Sequence, residues 1–363
     1  MVYRVIGLMS GSSLDGLDIA FVELHESSGK WSYELRHCAC YPYSEQWIHA
    51  LKTAPQLSAL DYHLLHTSYG RYLGEQVSRF IQEHELEFQV QLIASHGHTT
   101  FHYPGKQMTA QLGDGAAIAA ATGINVVSDL RSLDVALGGH GAPIVPIGEK
   151  LLLPGYDAFL NIGGIANLSW NLPRGYIAFD VAPANRVLNM LANELNVSFD
   201  KDGALAAEGN LIPDLLTALD QLDYYHQPYP KSLGNQFGTN TVYPMLHRTA
   251  PTRDLLRTFT KHLAVQVRRA VAQVRPTDAE HARLMITGGG AHNKFLISAI
   301  TEELASIGVE AIVPDNDIVD FKEAVIMGLI GVLRWREENN VLASVTGASR
   351  NSIGGAVWIG QEA

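Results

Sequence analysis

The spacing of apolar residues divides the chain into short strand-like runs and longer helix-like runs. Near the N-terminus, the apolar runs YRVIGLM, LDIAFVEL and SYELRHCACY predict three strands in a hairpin or meander. Apolar residues at helical spacing then predict helices over residues 45–53 and 59–84. After them, VQLIASHG predicts a buried strand ending in a polar loop, AAIAAATG a short helix and INVVSD another strand.

The strand pattern begins again at Tyr156. YDAFLNIGGIANLSW predicts two strands broken by a glycine pair, GYIAFD a third strand, and ANRVLNMLANEL and residues 253–274 two helices. ARLMIT, GGGAHN and a helix from Lys294 follow, and then the strand VEAIVP and the buried helix FKEAVIMGLIGVLRWREEN. Because each half opens with a glycine-interrupted hairpin, the pattern predicts a duplicated α/β architecture.

The segment between the two halves, residues 130–146, contains three glycines and two prolines and is predicted to be irregular. A long irregular segment inside a compact protein is usually functional or an interdomain crossing, and we expect both here.

Composition excludes several classes of protein. The 363 residues are 47% hydrophobic and 17% charged, and the formal net charge of −11 argues against a nucleic-acid surface. The N-terminus shows no signal-peptide pattern and no apolar run reaches bilayer-spanning length, so we expect a cytoplasmic protein without a membrane partner. Cys38 and Cys40 alternate along one predicted strand without further ligands at metal-site spacing, so no metal site is expected.

Three glycine turns at strand ends are candidates for binding phosphate. They are SGSSLDG around Gly11, NIGGIAN around Gly163 and TGGGAHN around Gly289. Glycine allows anionic oxygens to approach the backbone, and clustered N–H groups bind them. None is a Walker loop, and Asp15-Gly16 would equally suit a plain hairpin turn.

Polar residues beside these turns are candidates for binding or catalysis. His96 and His98 could bind a sugar, and metal ligation is less favoured. Arg131 and Asp134 could form a surface ion pair or position a polar ligand. Asp180 follows an apolar run, so it could be a helix N-cap or a base at the carboxyl end of a strand.

Eight blocks of sequence resemble, in order, those of the anhydro-N-acetylmuramic acid kinase family. They are GLMSGSSLDGLD, ASHGHTTFH, QLGDGAAIAAATGINVVSDLRSLDVALGGHGAPIVP, FLNIGGIANLSW, FDKDGALAAEG, PKSLGNQF, ITGGGAHN and SVTGAS. The resemblance runs from about residue 5 to near the C-terminus. It implies an α/β fold of the two-lobed actin-like ATPase (ribonuclease H-like) class, with a duplicated core and a central cleft. The lobes would be residues 1–150, completed by about 346–363, and residues 151–345.

The resemblance also implies an activity. The family uses ATP and Mg²⁺ to hydrolyse the 1,6-anhydro bridge of the sugar and to phosphorylate the freed O6, in cell-wall sugar recycling. Asp180 would be the base that activates water, and a homodimer is expected. The nucleotide would be bound by Gly11, Ser12, Ser13, Leu14, Asp15, Gly16, Leu17, Asp18, Gly163, Gly164, Gly288, Gly289 and Gly290. The anhydrosugar substrate would be bound by His96, His98, Arg131, Asp134 and Asn185.

Departures from the family pattern leave two alternatives open. His98 and Asn235-Gln236 replace residues usual in the family, which suggests a kinase for another 1,6-anhydrosugar. Ala182 and Ala184 stand where the family has glycine, which suggests a nucleotide-binding homologue with weakened catalysis. ADP release measured with each candidate sugar separates the three hypotheses.

Overall fold

The computed structural model describes residues 1–11, 13–172, 175–234, 236–248, 250–276 and 281–361. The strands are β1 (Val2–Ser10), β2 (Gly16–Ser27), β3 (Lys30–Pro42), β4 (Leu92–Tyr103), β5 (Met108–Leu112), β6 (Asn125–Ser128), β7 (Ala158–Ile162), β8 (Ile165–Leu172), β9 (Gly175–Pro183), β10 (Ala282–Thr287), β11 (Val309–Ile312) and β12 (Ala356–Trp358).

The helices are α1 (Glu45–Thr53), α2 (Ala59–Glu83), α3 (Gly115–Thr122), α4 (Ser132–Ala136), α5 (Pro146–Leu152), α6 (Asn185–Asn193), α7 (Ala204–Glu208), α8 (Pro213–Asp220), α9 (Asp223–His226), α10 (Tyr243–Leu246), α11 (Thr252–Val274), α12 (Lys294–Ala305), α13 (Asn316–Trp335) and α14 (Ala343–Thr346). Short 3₁₀ turns occur at Ala54–Gln56, Pro104–Lys106, Lys201–Gly203 and Gly289–His292, and a π-helix at Phe237–Val242.

The chain forms two compact units, and each has one mixed sheet. Unit 1 comprises Met1–Pro154 and Phe321–Ala363, and unit 2 comprises Gly155–Asp320. The sheet of unit 1 has the order β12-β6-β4-β1-β2-β3, with β5 added beside β4. The sheet of unit 2 has the order β11-β10-β7-β8-β9.

The two sheets share one topology. In unit 1, β1, β2 and β3 form an antiparallel meander, and β4 and β6 then add in parallel on the other side of β1. In unit 2, β7, β8 and β9 form the meander, and β10 and β11 add in parallel beside β7. This repeat is the duplicated ribonuclease H-like core of the actin-like ATPase class, and the predicted fold class and duplication are confirmed.

Each unit buries its own hydrophobic core. In unit 1, Ile6 and Leu8 of β1 pack with Tyr69 and Leu73 of α2. In unit 2, α11 supplies many of the buried side chains, including Phe259 and Leu263. The prediction of a helix over residues 253–274 is confirmed by α11. The apolar face of this helix covers the sheet.

The boundary between the units differs from the predicted one. Residues 321–345 were assigned to the second lobe, but they belong to unit 1. The physical reason is the contact between α13 and β1, where Gly7 lies so close to Ala324 that a Cβ at Gly7 would overlap the Ala324 carbonyl. Gly331, about two turns beyond Ala324 along α13, is similarly close to Ala94 of β4.

Two local predictions were wrong. The polar segment after VQLIASHG is not a loop, because β4 continues to Tyr103 and pairs with β5. The segment 130–146 is not wholly irregular, since it contains the short helix α4. In the first case polar side chains hid a hydrogen-bonded backbone. In the second, the glycines and prolines that predicted an irregular segment all lie after the short helix.

Candidate active site

Asp180 lies in β9 of unit 2, and one of its carboxylate oxygens is held by hydrogen bonds. The backbone N–H of Leu233 donates to Asp180 Oδ2 at 2.7 Å, and Ser232 Oγ donates to the same oxygen at 3.0 Å. Burial raises the pKa of the Asp180 carboxyl, and the two hydrogen bonds act in the opposite direction. Within the described residues, no hydrogen bond to Oδ1 is seen, so this oxygen can face a reactant.

The backbone of Asp180 is fixed by the same loop. Its N–H donates to Lys231 O at 3.1 Å, and its carbonyl accepts from Tyr224 OH at 2.6 Å. Lys231 Nζ lies 4.6 Å from the centroid of the Tyr224 ring and donates to Tyr224 O. The strand, the loop and α9 therefore hold one carboxylate from both the backbone and the side chain.

The interpretation of Asp180 as a helix N-cap is wrong. β9 continues to Pro183, the N-cap of α6 is Ala184, and that cap makes no side-chain hydrogen bond. The first N–H groups of α6 are instead bound by the glycine pair. Ala184 N donates to Gly164 O at 2.9 Å, and Asn185 N donates to Gly163 O at 3.1 Å.

The two predicted glycine turns of unit 2 lie beside one another at the carboxyl ends of parallel strands β7 and β10. Asn185 connects them, because Asn185 Nδ2 donates to Ile162 O at 3.2 Å and lies 3.7 Å from where a Cβ of Gly289 would stand. Ligands of open α/β sheets bind at this edge, where the chain leaves neighbouring strands in opposite directions.

The glycines of these turns fall into two groups. A Cβ at Gly288 or Gly290 would overlap Asn161 or Ile162, so packing against β7 requires glycine at both. A Cβ at Gly163, Gly164 or Gly289 would meet no atom of the described residues closer than 3.7 Å. Protein packing therefore does not explain the absence of side chains at these three positions, whereas a ligand lying on the backbone would.

The predicted phosphate turn of unit 1 joins β1 to β2. Ser13 Oγ donates to Asp15 Oδ1 at 2.6 Å, and Gly16 N donates to the same oxygen at 3.1 Å. Leu14 has a positive φ of 59°, an unusual conformation for leucine. In the part of the chain that the structure describes, a Cβ at Gly11 would meet Ser13 alone, at 3.3 Å and beyond. Ser12 lies outside the described residues.

The remaining members of the predicted turn belong to the sheet. Gly16, Leu17 and Asp18 are the first residues of β2, and a Cβ at Gly16 would lie 2.6 Å from Cys40 Sγ. Leu17 is buried, and its side chain packs in the unit 1 core. Gly16 and Leu17 therefore have structural reasons for their identities.

His98 belongs to a buried cluster of hydroxyl groups that the sequence did not reveal. Its Nδ1 lies 3.1 Å from Ser10 Oγ, which accepts hydrogen bonds from Tyr43 OH at 2.8 Å and Tyr69 OH at 2.9 Å. Burial lowers the pKa of His98 to about 4 and raises the pKa of Tyr43 to about 12. These groups are therefore neutral near pH 7.

His96 and Arg131 contact one another. Arg131 Nε donates to His96 Nε2 at 2.8 Å, and His96 Nδ1 donates to Gly97 O at 2.8 Å. Burial, followed by the charge of Arg131, lowers the pKa of His96 to about 3. Both ring nitrogens of His96 are used within the protein, so the ring positions Arg131, whose Nη1 also donates to Gly141 O.

Asp134 holds the loop that follows α4. Its Oδ2 accepts from Gly141 N at 2.7 Å, and its Oδ1 accepts from Thr346 Oγ1 at 2.7 Å. Glu323 of α13 is a further ionisable group in this region that the sequence reasoning missed. Burial raises its pKa, and the charges of Lys322 and Arg131 lower it.

Ala182 and Ala184 are fully buried, and neither has a positive φ. Neither residue therefore adopts the left-handed conformation that favours glycine. The missed residues Ser232 and Leu233 lie in PKSLGNQF, a block that stood out in the sequence, but nothing in its spacing indicated contact with Asp180.

Within the described residues, no group of three His, Cys, Asp or Glu side chains is arranged to hold a metal ion. The same residues include no helix that combines the length and the apolar character needed to cross a bilayer.

The duplicated core and the glycine turns at its sheet edges define a member of the actin-like ATPase class, which includes sugar kinases. Comparison with known proteins is more specific. The family model described as anhydro-N-acetylmuramic acid kinase matches residues 3–360, and the chain belongs to this family.

Relatives named anhydro-N-acetylmuramic acid kinase match along nearly their whole length. One from Sulfurovum sp. is 33% identical, covering 98% of this chain and 99% of the relative. One from Francisella tularensis subsp. novicida is 32% identical, covering 97% of both chains. One from Streptomyces coelicolor is 35% identical, covering 99% of this chain and 94% of the relative.

Proposed function

We propose that this protein converts 1,6-anhydro-N-acetylmuramic acid, water and ATP into N-acetylmuramic acid 6-phosphate and ADP, in the recycling of cell-wall sugars. Membership of the family supports the substrate and the kinase activity. The observation that carries the reaction is Asp180, a carboxylate with a raised pKa whose Oδ2 accepts two hydrogen bonds, while no described residue donates to its Oδ1.

The anhydro bridge is opened by water. The oxygen of the water bonds to C1 while Asp180 accepts a proton from that water. The bond between C1 and the bridging oxygen breaks. The electron pair of that bond remains on O6, which takes the γ-phosphoryl group and releases ADP. A raised pKa suits this role, because it makes the Asp180 carboxylate a stronger base.

The open glycine positions support nucleotide binding. Gly11 in unit 1 and Gly163, Gly164 and Gly289 in unit 2 each leave the backbone uncovered, as a triphosphate or an adenosine requires. Mg²⁺ normally binds phosphate oxygens, water and one or two carboxylates, so a cluster of three protein ligands is not required. Asp15 or Asp18 beside the turn could supply such a carboxylate, and the ion would neutralise phosphate charge.

The remaining predicted residues would serve the sugar. Arg131 supplies a half-buried guanidinium. Burial lowers its pKa only to about 10, so the group stays charged near pH 7. His98 would act through the hydroxyl cluster and His96 through Arg131. Asp134 would hold the loop that follows α4 in place, and Asn185 would support the glycine turns.

Isotope labelling tests the reaction. In H₂¹⁸O, ATP-dependent turnover of 1,6-anhydro-N-acetylmuramic acid should give a 6-phosphate with ¹⁸O at C1 and none at O6, because the bridging oxygen becomes O6. ADP release, measured in parallel with 1,6-anhydroglucose, tests the alternative substrate. ADP release without label at C1, or no sugar-dependent ADP release, would contradict the proposal.

Family resemblance also supports a cytoplasmic homodimer. Sedimentation equilibrium of the purified protein should then give a mass of about twice the 39.6 kDa of one chain. A mass of 39.6 kDa across the micromolar range would contradict the dimer.

A further inference from the structure

Arg186 lies beside the glycine pair of unit 2, and the roles described above leave its side chain unused. It is the second residue of α6 and is half-buried. Its backbone N–H donates to Gly164 O at 3.4 Å, and a Cβ at Gly164 would lie 3.9 Å from both Cβ and Nε of Arg186. The arginine side chain therefore runs along a turn whose backbone is otherwise uncovered.

The guanidinium of Arg186 has no hydrogen-bond or ion-pair partner among the described residues, and its Nε is buried. Four other arginines of unit 2 each lie close to a carboxylate: Arg253 is 3.0 Å from Glu208, Arg268 2.6 Å from Glu303, Arg269 3.3 Å from Asp220 and Arg283 3.8 Å from Glu310. Buried donors are normally hydrogen-bonded, because burial removes the water that would otherwise accept from them. A bound anion would supply the partner that the described part of the chain does not.

The helix gives no reason for an arginine at this position. The N-terminus of an α-helix carries a partial positive charge, so a cation in the first turn is unfavourable and an acidic residue is favoured. The first turn of α6 contains no acidic residue, and its N-cap, Ala184, makes no side-chain hydrogen bond. Nothing in this turn therefore offsets the charge of Arg186, whereas an anionic ligand would.

The proposed function offers two anions, the phosphates of the nucleotide and the lactyl carboxylate of the sugar. The uncovered backbone at Gly163 and Gly164 favours the phosphates, because bare glycine lets phosphate oxygens approach the main chain closely. The three glycine turns themselves contain no lysine or arginine. Arginine can donate to two phosphate oxygens at once, so Arg186 would add the cation that these turns lack.

We infer that Arg186 binds the phosphates of ATP at the glycine pair of unit 2. Its guanidinium would donate to phosphate oxygens lying over Gly164 and neutralise part of their charge. This inference rests on the proposed function and assigns a side-chain cation to the nucleotide site.

Two methionine variants of the full-length protein test the inference. Arg186→Met removes the guanidinium and keeps an apolar stem, whereas Arg283→Met removes the same charge near the amino end of β10, away from the glycine turns at its carboxyl end. Calorimetric titrations with Mg²⁺ and a non-hydrolysable ATP analogue, with adenosine, and with 1,6-anhydro-N-acetylmuramic acid give three affinities for each protein.

We expect Arg186→Met to weaken binding of the ATP analogue by about ten- to hundredfold, the effect of losing a hydrogen bond between charged groups. Its affinities for adenosine and for the sugar should stay within about twofold of the parent values, because neither contact involves a phosphate. All three affinities of Arg283→Met should also stay within about twofold, since salt screens a distant exposed charge. Arg186→Lys, which keeps a cation, should recover part of the lost affinity for the analogue.

Arg186→Gln also removes the charge and should show the same selective loss, so it decides the matter if Arg186→Met does not fold. Unchanged affinity for the ATP analogue, or an equal loss for adenosine, would overturn the inference. Weaker binding of the sugar with unchanged binding of the analogue would assign Arg186 to the lactyl carboxylate and overturn it as well. Because the measurement is binding, it stays separate from the reaction. A parent that binds the analogue through Arg186 but incorporates no ¹⁸O at C1 would contradict the proposed reaction and support the phosphate contact.

Discussion

At the scale of single residues, the side chain of Asp180 has no capping role, because the N-cap of α6 is Ala184. We therefore expect Asp180→Asn to lose sugar-dependent ADP release by roughly 10²–10⁴-fold, the usual contribution of a positioned general base. Asparagine can still accept from Leu233 N through its side-chain oxygen, so thermal stability and nucleotide affinity should change little. Coupled-enzyme kinetics, thermal melts and nucleotide titration check the three expectations. An unfolded variant, or one that retains most of its turnover, would refute the assignment.

Ser232 should control the protonation of Asp180. Its hydrogen bond lowers the pKa of a carboxyl that burial raises, so Ser232→Ala should move that pKa further up. Since the base must be ionised, the acid limb of kcat/KM should shift to higher pH, while activity well above the limb should change little. Profiles from about pH 4 to about pH 8 check this around the ordinary carboxyl range. Ser232→Thr, which keeps the hydroxyl, should restore the parent limb, and a parallel loss at every pH would argue against this role.

Gly289 and Gly290 are adjacent but should respond differently to alanine. A Cβ fits at Gly289, so Gly289→Ala should melt like the parent but bind nucleotide about tenfold more weakly, if the nucleotide lies on this backbone. A Cβ at Gly290 overlaps Ile162, so Gly290→Ala should lose about 1–3 kcal/mol of stability. Thermal melts and titration with a non-hydrolysable ATP analogue separate the two effects. Parent-like affinity in Gly289→Ala would remove this turn from the nucleotide site.

At the scale of elements, the helices were predicted well where their apolar periodicity was long. Residues 45–53 and 253–274 differ from α1 and α11 by at most one residue at either end. The polar half of β4 was missed because its side chains resemble those of a loop, although β5, which follows after the turn Pro104–Lys106, satisfies its backbone. The partner of Asp180 was missed because contacts between residues far apart in the sequence leave no local pattern, and Ser232 is 52 residues away.

The packing of α13 on β1 depends on the absence of a side chain at Gly7. Gly7→Ala would place a methyl group against the Ala324 carbonyl and 2.8 Å from Gly328 N, atoms of a helix backbone that cannot rotate away. We expect a loss of about 1–3 kcal/mol or more in the free energy of unfolding. Gly105→Ala is the control, because a Cβ there meets no described residue within 4 Å. Equal denaturation midpoints for the two variants would show that α13 can shift at no cost.

At the scale of the whole molecule, the glycine-interrupted hairpins predicted the duplication because each begins one meander of the repeated topology. The boundary at Phe321 was not predicted, because the apolar pattern of a buried helix does not indicate which of the two sheets the helix covers. The two units also differ in the number of chain segments that form them. Unit 2 is one continuous segment, whereas unit 1 is built from both ends of the chain.

This difference predicts how fragments of the chain behave. Residues 155–320 contain the complete second sheet and its core, so this fragment should fold cooperatively on its own. Residues 1–154 lack β12, which pairs with β6, and most of α13, whose Val325 and Leu329 are buried. That fragment should expose the apolar surface that α13 covers, and should melt without a cooperative transition. Joining residues 321–363 to residue 154 through a flexible linker should restore the transition. Circular dichroism melts of the three fragments check this, and cooperative folding of residues 1–154 alone would show that the first sheet does not depend on the C-terminal segment.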